Sequence, residues 1–434
     1  MSEYQVNEES FDDLEEDEDE VGWREAEDAW SADDGSEGTG SNDFEYEAIY
    51  PQIDKSIPEI TEAEQEIVDA WWKEFSPFYM DRDVDEMIRR IVGFMEEHSS
   101  LFIHLYLDEE CLFELGAELA RRGEYRRHAE LLQRIRKEHP EVYIRSHGYY
   151  DRDIITELIL DGQRKKISQY FNFFKLYPDS HPDELSEIID LLLSGNCQDE
   201  LFELVRETAI PVVCSSNVIG GDFALRWFFF EQWIPFLEKR DASESSCNKL
   251  LAALNNLELP FDPGFDSDVI FQDLTEAFGN VSTWDITQCH TRRELVAFYR
   301  NIAWSFCSFL NERKGMSWPT ARFFADQIER YFYDVPRNKR PKKVFNFEKN
   351  KLDQHIAQNC KQFLFLNGVL AISLLQAVYY FADYLNENRI FSDEDLSKTE
   401  QACLSLLETV KTVVPASDAG PRIFSTFPNY QWTT

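Results

Sequence analysis

Leu119-Ala-Arg-Arg-Gly123-Glu-Tyr-Arg-Arg127 and Leu158-Ile-Leu-Asp-Gly162-Gln-Arg-Lys-Lys166 share one grammar, and Leu191-Leu-Leu-Ser-Gly195-Asn-Cys-Gln-Asp199 repeats its first half. Each glycine has a leucine four residues before it and an apolar residue (Leu132, Phe171 or Leu204) nine residues after it. Pro140, Pro178 and Pro211 close the frames at 17, 16 and 16 residues from their glycines. Glycine suits the left-handed position that ends a helix, and proline forbids the continuation of one. Each frame therefore predicts helix, glycine turn, helix, proline stop. Glycine steps of 39 and 33 residues fall in the range of α-helical repeats.

Working outward, the rest of the chain also reads as helix. No run of β-branched residues alternates with polar ones over a strand length. The expected fold is all-α, a helical-hairpin solenoid of the tetratricopeptide or HEAT kind followed by a helical bundle. Five segments are expected: an acidic tail over 1–57, the repeat domain over 58–260, an irregular linker over 261–290, the bundle over 291–414 and a C-terminal tail over 415–434. Among 434 residues, 43% are apolar and 14% aromatic, so a large core can form outside the tail.

The tail stands apart by charge. Residues 1–47 hold 20 acids and one basic residue, Arg24, so they contribute −19 of the total −39. Asp12 to Glu20 is acidic at eight of nine positions, interrupted only by Leu14. Such a segment buries too little apolar surface to offset its ordering entropy, so disorder is expected. Phe11, Trp23, Trp30, Phe44, Tyr46 and Tyr50 interleave with the acids, the pattern of a segment that folds on a partner.

Helix boundaries follow from local chemistry. Thr61–Glu64 and Thr291–Glu294 are capping boxes, predicting helices over 61–75 and 291–313, the second stopped by Gly315. A helix over 83–97 buries Met87, Ile91 and Phe94. The aromatic stretch Trp227 to Phe236 should break near Gln232, because Pro235 interrupts it. Further helices are expected over 244–257, 268–278, 352–386 and 393–414, with Ser392 capping the last and Pro319 in the first turn of another. Gln362 to Ala382 is uncharged for 21 residues, long enough to span a bilayer. Asn367, Gly368, Ser373 and Gln376 within it favour a buried central helix, and no membrane association is expected.

Candidate sites are few. Residues 121–166 hold twelve Lys/Arg against eight Asp/Glu, a +4 window in a chain of −39. Arg126 and Arg127, and then Lys165 and Lys166 beside Arg164, open the second helix of their units. Cations there oppose the helix dipole, so local helix stability does not explain them. Arginine grips carboxylates with two parallel hydrogen bonds, and these five residues are the expected site for an acidic peptide or other anion. The protein's own tail is one expected ligand. Lys339, Arg340, Lys342 and Lys343 form a run resembling a nuclear import signal.

No metal-ligand spacing, phosphate-cradling glycine loop or nucleophile–base pairing stands out, so neither metal nor cofactor is expected. Cys214-Ser-Ser before Gly220-Gly221 and the adjacent Cys289-His290 carry reactive groups without an assignable base. Eight cysteines with no Cys-x-x-Cys pair, and a start lacking an apolar leader, predict free thiols in the cytoplasm, or the nucleus if the basic run is an import signal. The overall acidity predicts no direct nucleic-acid binding. The function expected is a non-enzymatic adaptor or scaffold for protein partners. One alternative is a regulator whose acidic tail occupies nucleic-acid-binding proteins. The other is an enzyme whose site lies near Trp227, Trp233 and Trp304.

Overall fold

The computed structural model describes residues 60–414 apart from 106, 216–221, 258, 262–264, 266, 280, 282–283, 285–288, 290, 334–344, 346 and 363–364. The expectations for the tails at 1–57 and 415–434, for His290 and for Lys339, Arg340, Lys342 and Lys343 lie outside those residues. The described chain is all-α save for one two-residue antiparallel ladder.

Thr61 begins the first helix as its capping box requires, accepting from Glu64 N while Glu64 caps the Thr61 amide. That helix, α1 (Glu62–Asp81), runs past the expected end at 75 and through Pro77, and closes at Arg82 in the left-handed conformation. The second helix, α2 (Val84–His104), folds back on α1 and bends at His98, where the backbone leaves helical angles. Trp71 donates to Arg90 O at 3.3 Å and Phe75 is fully buried, which sets the pair antiparallel.

The three glycine frames then unfold with differences. In the first, α3 (Phe113–Arg121) turns at Gly123, φ +72°, into α4 (Tyr125–Glu138). In the second, α5 (Pro140–Tyr143) leads into α6 (His147–Leu160), which turns at Gly162, φ +68°. The helix expected after it is instead two 3-10 turns, Arg164–Lys166 and Ser168–Tyr170, and the five-residue α7 (Asn172–Leu176). In the third, α8 (Pro182–Ser194) turns into α9 (Gln198–Cys214). Here the left-handed residue is Asn196, φ +56°, not Gly195. Gly195 is required for space: a Cβ would meet Ile159 Cγ2 at 2.7 Å and Leu191 O at 3.0 Å. Pro211 lies inside α9 near its end and does not stop it.

Beyond residue 221, α10 (Asp222–Glu231) and α11 (Ile234–Lys239) break where Pro235 demands, with α11 opening on that proline. Next come α12 (Glu244–Asn255), α13 (Ser267–Phe278), α14 (Arg292–Lys314) and α15 (Trp318–Tyr333). Gly315, φ +68°, ends α14 as expected. The single helix expected over 352–386 is in fact two, α16 (Lys349–Asn359) and α17 (Gly368–Glu387). A ladder of β1 (Lys361–Gln362) with β2 (Phe365–Leu366) separates them, and Asn367 caps α17 by accepting from Leu370 N. The last helix, α18 (Asp393–Val413), starts on a capping box at Ser392.

One apolar core runs through the whole described chain. Its hinge is α8, which packs against α6, α9 and α10 and also against α15 and α17. Polar ties reinforce that junction. Thr320 Oγ1 donates to Leu193 O at 2.7 Å, Ser194 Oγ meets Ser373 Oγ at 2.8 Å, and Ser317 N donates to Asn196 Oδ1 at 2.6 Å. The uncharged stretch becomes α17, with 78% of its most apolar window inside this core.

Candidate binding ridge

Four turns line up along one edge of the helices, each with a left-handed residue: Arg82, Gly123, Gly162 and Asn196. Side chains stitch each turn to the next. Arg122 Nη2 donates to Arg82 O, and Arg127 bonds both Asp85 and its own Glu124, at 3.0 Å for the latter. Arg126 reaches across to Asp161 at 3.1 Å, just before Gly162. Arg164 then donates to Gly195 O and Asn196 O, both at 3.1 Å. Those are carbonyls at the end of α8, which have no partner within the helix, so a cation is well placed there.

The five residues expected to grip an anion therefore do lie on one edge, but not as an open grip. Arg127 and Arg164 are engaged with neighbours, and Arg126 is shared between Asp161 and Glu130 while staying 68% exposed. Among the described residues, Lys165 is exposed with no hydrogen-bond or ion-pair partner, and Lys166 is exposed and donates to Gln163 at 2.8 Å. Three further cations extend the ridge. Arg82, Arg121 and Arg122 all meet Glu118, whose side chain is 9% exposed. Burial raises the Glu118 carboxyl, but hydrogen bonds from Arg122 and Arg121 overcome it and hold the group below its ordinary value. Arg82 comes from a turn 36 residues away, so sequence spacing gives no sign of that cluster. Asp81 and Asp83 flank Arg82, so the positive surplus concentrates between Arg121 and Lys166.

Grooves lie at both ends. One of about 160 Å³ sits between Met80, Arg82, Glu118 and Arg121. The other, of about 280 Å³, is bounded by Gln198, Arg240, Asn311, Ser317 and Trp318, next to the Asn196–Ser317 contact.

Other reactive constellations are closed. His147, on the first turn of α6, is 1% exposed and sits 3.4 Å from Asp151 Oδ2 and 3.1 Å from Ser180 Oγ. The order serine, histidine, aspartate suggests a nucleophile, but Ser180 Oγ donates to Tyr177 O at 2.8 Å. The proton in the Ser180–His147 contact is then the imidazole Nε2–H. That leaves Nδ1 as a lone pair facing Asp151 Oδ2, neither atom having another hydrogen-bond partner. A carboxyl proton on Asp151 fits that gap. Burial pushes Asp151 up to about 7, against the hydrogen bond from Tyr143 at 2.7 Å. Burial lowers His147 to about 3, helped by His181. The group is a packed polar core with its serine turned away from attack.

Near Trp233 and Trp304, charged side chains are paired with one another. Trp233 stacks on Trp304, and Arg322 lies over Trp304 at 4.5 Å. Arg322 bonds Asp326 at 2.9 Å and Glu329 at 3.1 Å, while Asp273 takes Arg300 at 2.7 Å and Trp304 Nε1 at 3.2 Å. Glu96, Glu138 and His139 bring ligand atoms together, but Arg134 already bonds Glu96 at 3.1 Å and Glu138 at 2.6 Å, supplying the positive charge. Cys214 is exposed, and its neighbour Ser215 donates to Asp179 at 3.0 Å. All eight cysteines are free thiols, six of them buried. Comparison of this chain with protein-family models, with curated proteins and with solved structures finds no match.

Proposed function

We propose that this protein is a non-enzymatic interaction scaffold whose turn ridge, from Arg121 to Lys166, holds an acidic peptide of a protein partner. The observation that carries the reading is the ridge itself. In a chain of −39, cations from successive turns converge on one edge, and two of them, Lys165 and Lys166, are exposed without a carboxylate partner among the described residues. Turns set side by side favour an extended ligand, since each adds its own cations to the surface. Arg126 and Arg127 supply the second half of the grip once a peptide carboxylate replaces Asp161 or Asp85. Eight free thiols support a reducing compartment such as the cytoplasm.

A labelled peptide rich in Asp and Glu tests this by fluorescence anisotropy. The expected result is binding that weakens steeply as salt rises and about 10-fold or more in Lys165→Glu/Lys166→Glu, because reversing surface charges costs roughly 1 kcal/mol or more at such a site. The substituted positions are exposed, so the helical fold should be unchanged by circular dichroism. Equal affinity for both proteins, or for a charge-neutral peptide of the same length, would remove the ridge as the site.

A further inference from the structure

We propose that residues 12–20 of this same chain are the resident occupant of the ridge, held there until a partner displaces them. The inference rests on the ridge being an acidic-peptide site and names its first ligand. Charge is the first argument. Asp12 to Glu20 carries eight acids in nine residues, and Lys165 and Lys166 offer exposed ammonium groups with no carboxylate of the folded body against them. Position is the second. The described chain starts at residue 60, leading into α1, and α1 ends at Arg82 on the first turn of the ridge. A helix of 20 residues is about 30 Å long, so the tail departs roughly that distance from the Arg82 turn, two turns along the line from Lys165 and Lys166.

Reach is the third argument. The 39 residues 21–59 join the acidic run to the body. A neutral flexible coil of that length spans about 34 Å root-mean-square, and a net charge of −9 over 21–59 favours a longer reach. A tether of that reach places the acidic run at an effective concentration on the order of 1 mM around the ridge. A segment that binds with a dissociation constant of about 0.1 mM would then occupy the ridge roughly ten times out of eleven. An external acidic peptide would meet an affinity lowered by about that factor.

The test uses full-length protein throughout. In one variant the eight acids at 12, 13 and 15–20 become Asn or Gln, which leaves the ridge untouched. The probe is a labelled peptide with the sequence of residues 11–24, followed by anisotropy at low salt and at 0.5 M salt, where the Debye length falls to about 4 Å. The expected result is about 10-fold tighter probe binding to the neutralised variant than to the native chain at low salt. The difference should be independent of protein concentration, as an intramolecular competitor requires. Equal, measurable binding to both chains overturns the resident segment but keeps the ridge as a site. Binding to neither overturns the ridge reading and this inference with it. A difference that grows with protein concentration overturns occupation in cis, because the acidic run would then be reaching a second copy.

Discussion

Asp151 and His147 stand one turn apart on α6, both out of water, and their proton count contributes opposing terms to stability as pH changes. Asp151, raised by burial to about 7, adds stability that is full below about 4 and is lost as pH climbs to 7. His147, lowered by burial to about 3, adds stability that is full above its ordinary value near 6.5 and is lost as pH falls. Between about 4 and 6.5 the folded pair holds one proton, on Asp151, and the unfolded pair also holds one, on His147. Their slopes cancel in that window. Single substitutions should expose them. Asp151→Asn leaves the His147 slope alone, so stability relative to the native chain should rise between pH 4.5 and 6.5. His147→Gln leaves Asp151 alone, and relative stability should fall over the same range. Each slope approaches about 1.4 kcal/mol per pH unit at most. Denaturant unfolding at the two pH values measures both, and variants whose stability tracks the native chain would refute the shared proton. Little of this was legible in the sequence. The eight histidines are dispersed along it, and what matters is that α6, α7 and α8 close over His147 and remove it from water.

At the level of elements, the turns carried the readable signal and the stitching between them did not. Gly123, Gly162 and Gly315 end helices in the left-handed conformation, for the reason their positions suggested. The hydrogen bonds that join one unit to the next span 31 to 36 residues in Arg164–Gly195, His147–Ser180, Arg126–Asp161, Arg152–Glu187 and His181–Arg145. That is close to the second glycine step of 33 and a little short of the first, 39, so the basic surplus of 121–166 is largely explained by arginines tying neighbouring units. Sequence gives the spacing of such residues but not whether each faces a carboxylate, a carbonyl or water. The break at 360–367 is hidden for a related reason: Gln362 to Leu366 is as free of charge as the start of the helix after it, and only the Asn367 cap marks the restart. Gly195 was assigned the wrong cause, and a pair of substitutions separates the two. Gly123→Ala meets open space and should cost about 1–2 kcal/mol from its left-handed angle alone. Gly195→Ala has an ordinary φ but forces its methyl against Ile159, and overpacking of that kind costs about 1–3 kcal/mol. Adding Ile159→Ala should rescue part of the Gly195→Ala loss and none of the Gly123→Ala loss in a double-mutant cycle. Absence of coupling between 159 and 195 would show that the close approach is not what requires glycine there.

Over the whole molecule, α8 raises the question of where one cooperative unit ends. Sequence reading places a linker at 261–290, because that stretch is irregular and follows two proline-bounded helices. Yet α8, well before it, packs against α15 and α17, well after it. Leu193 O, Ser194 Oγ and Asn196 Oδ1 all find their partners beyond residue 316. A chain ending near 260 would hand these three groups to water and expose the apolar surface that α15 and α17 now cover, at about 25 cal/mol for each Å² exposed. Marginal stabilities of about 5–15 kcal/mol leave little room for such losses. Full-length protein should therefore unfold in one calorimetric transition whose van't Hoff and calorimetric enthalpies agree, and residues 58–260 expressed alone should lack a sharp transition and bind a hydrophobic dye. Two resolved transitions in the full chain, with the first reproduced by the 58–260 fragment, would instead make the linker a true boundary and α8 a docking surface between separately folded halves. The distinction bears on the ridge: its last turn, Asn196, is fixed by Ser317 N from the second half, so in a single cooperative unit any ligand that orders the turns also stabilises the bundle.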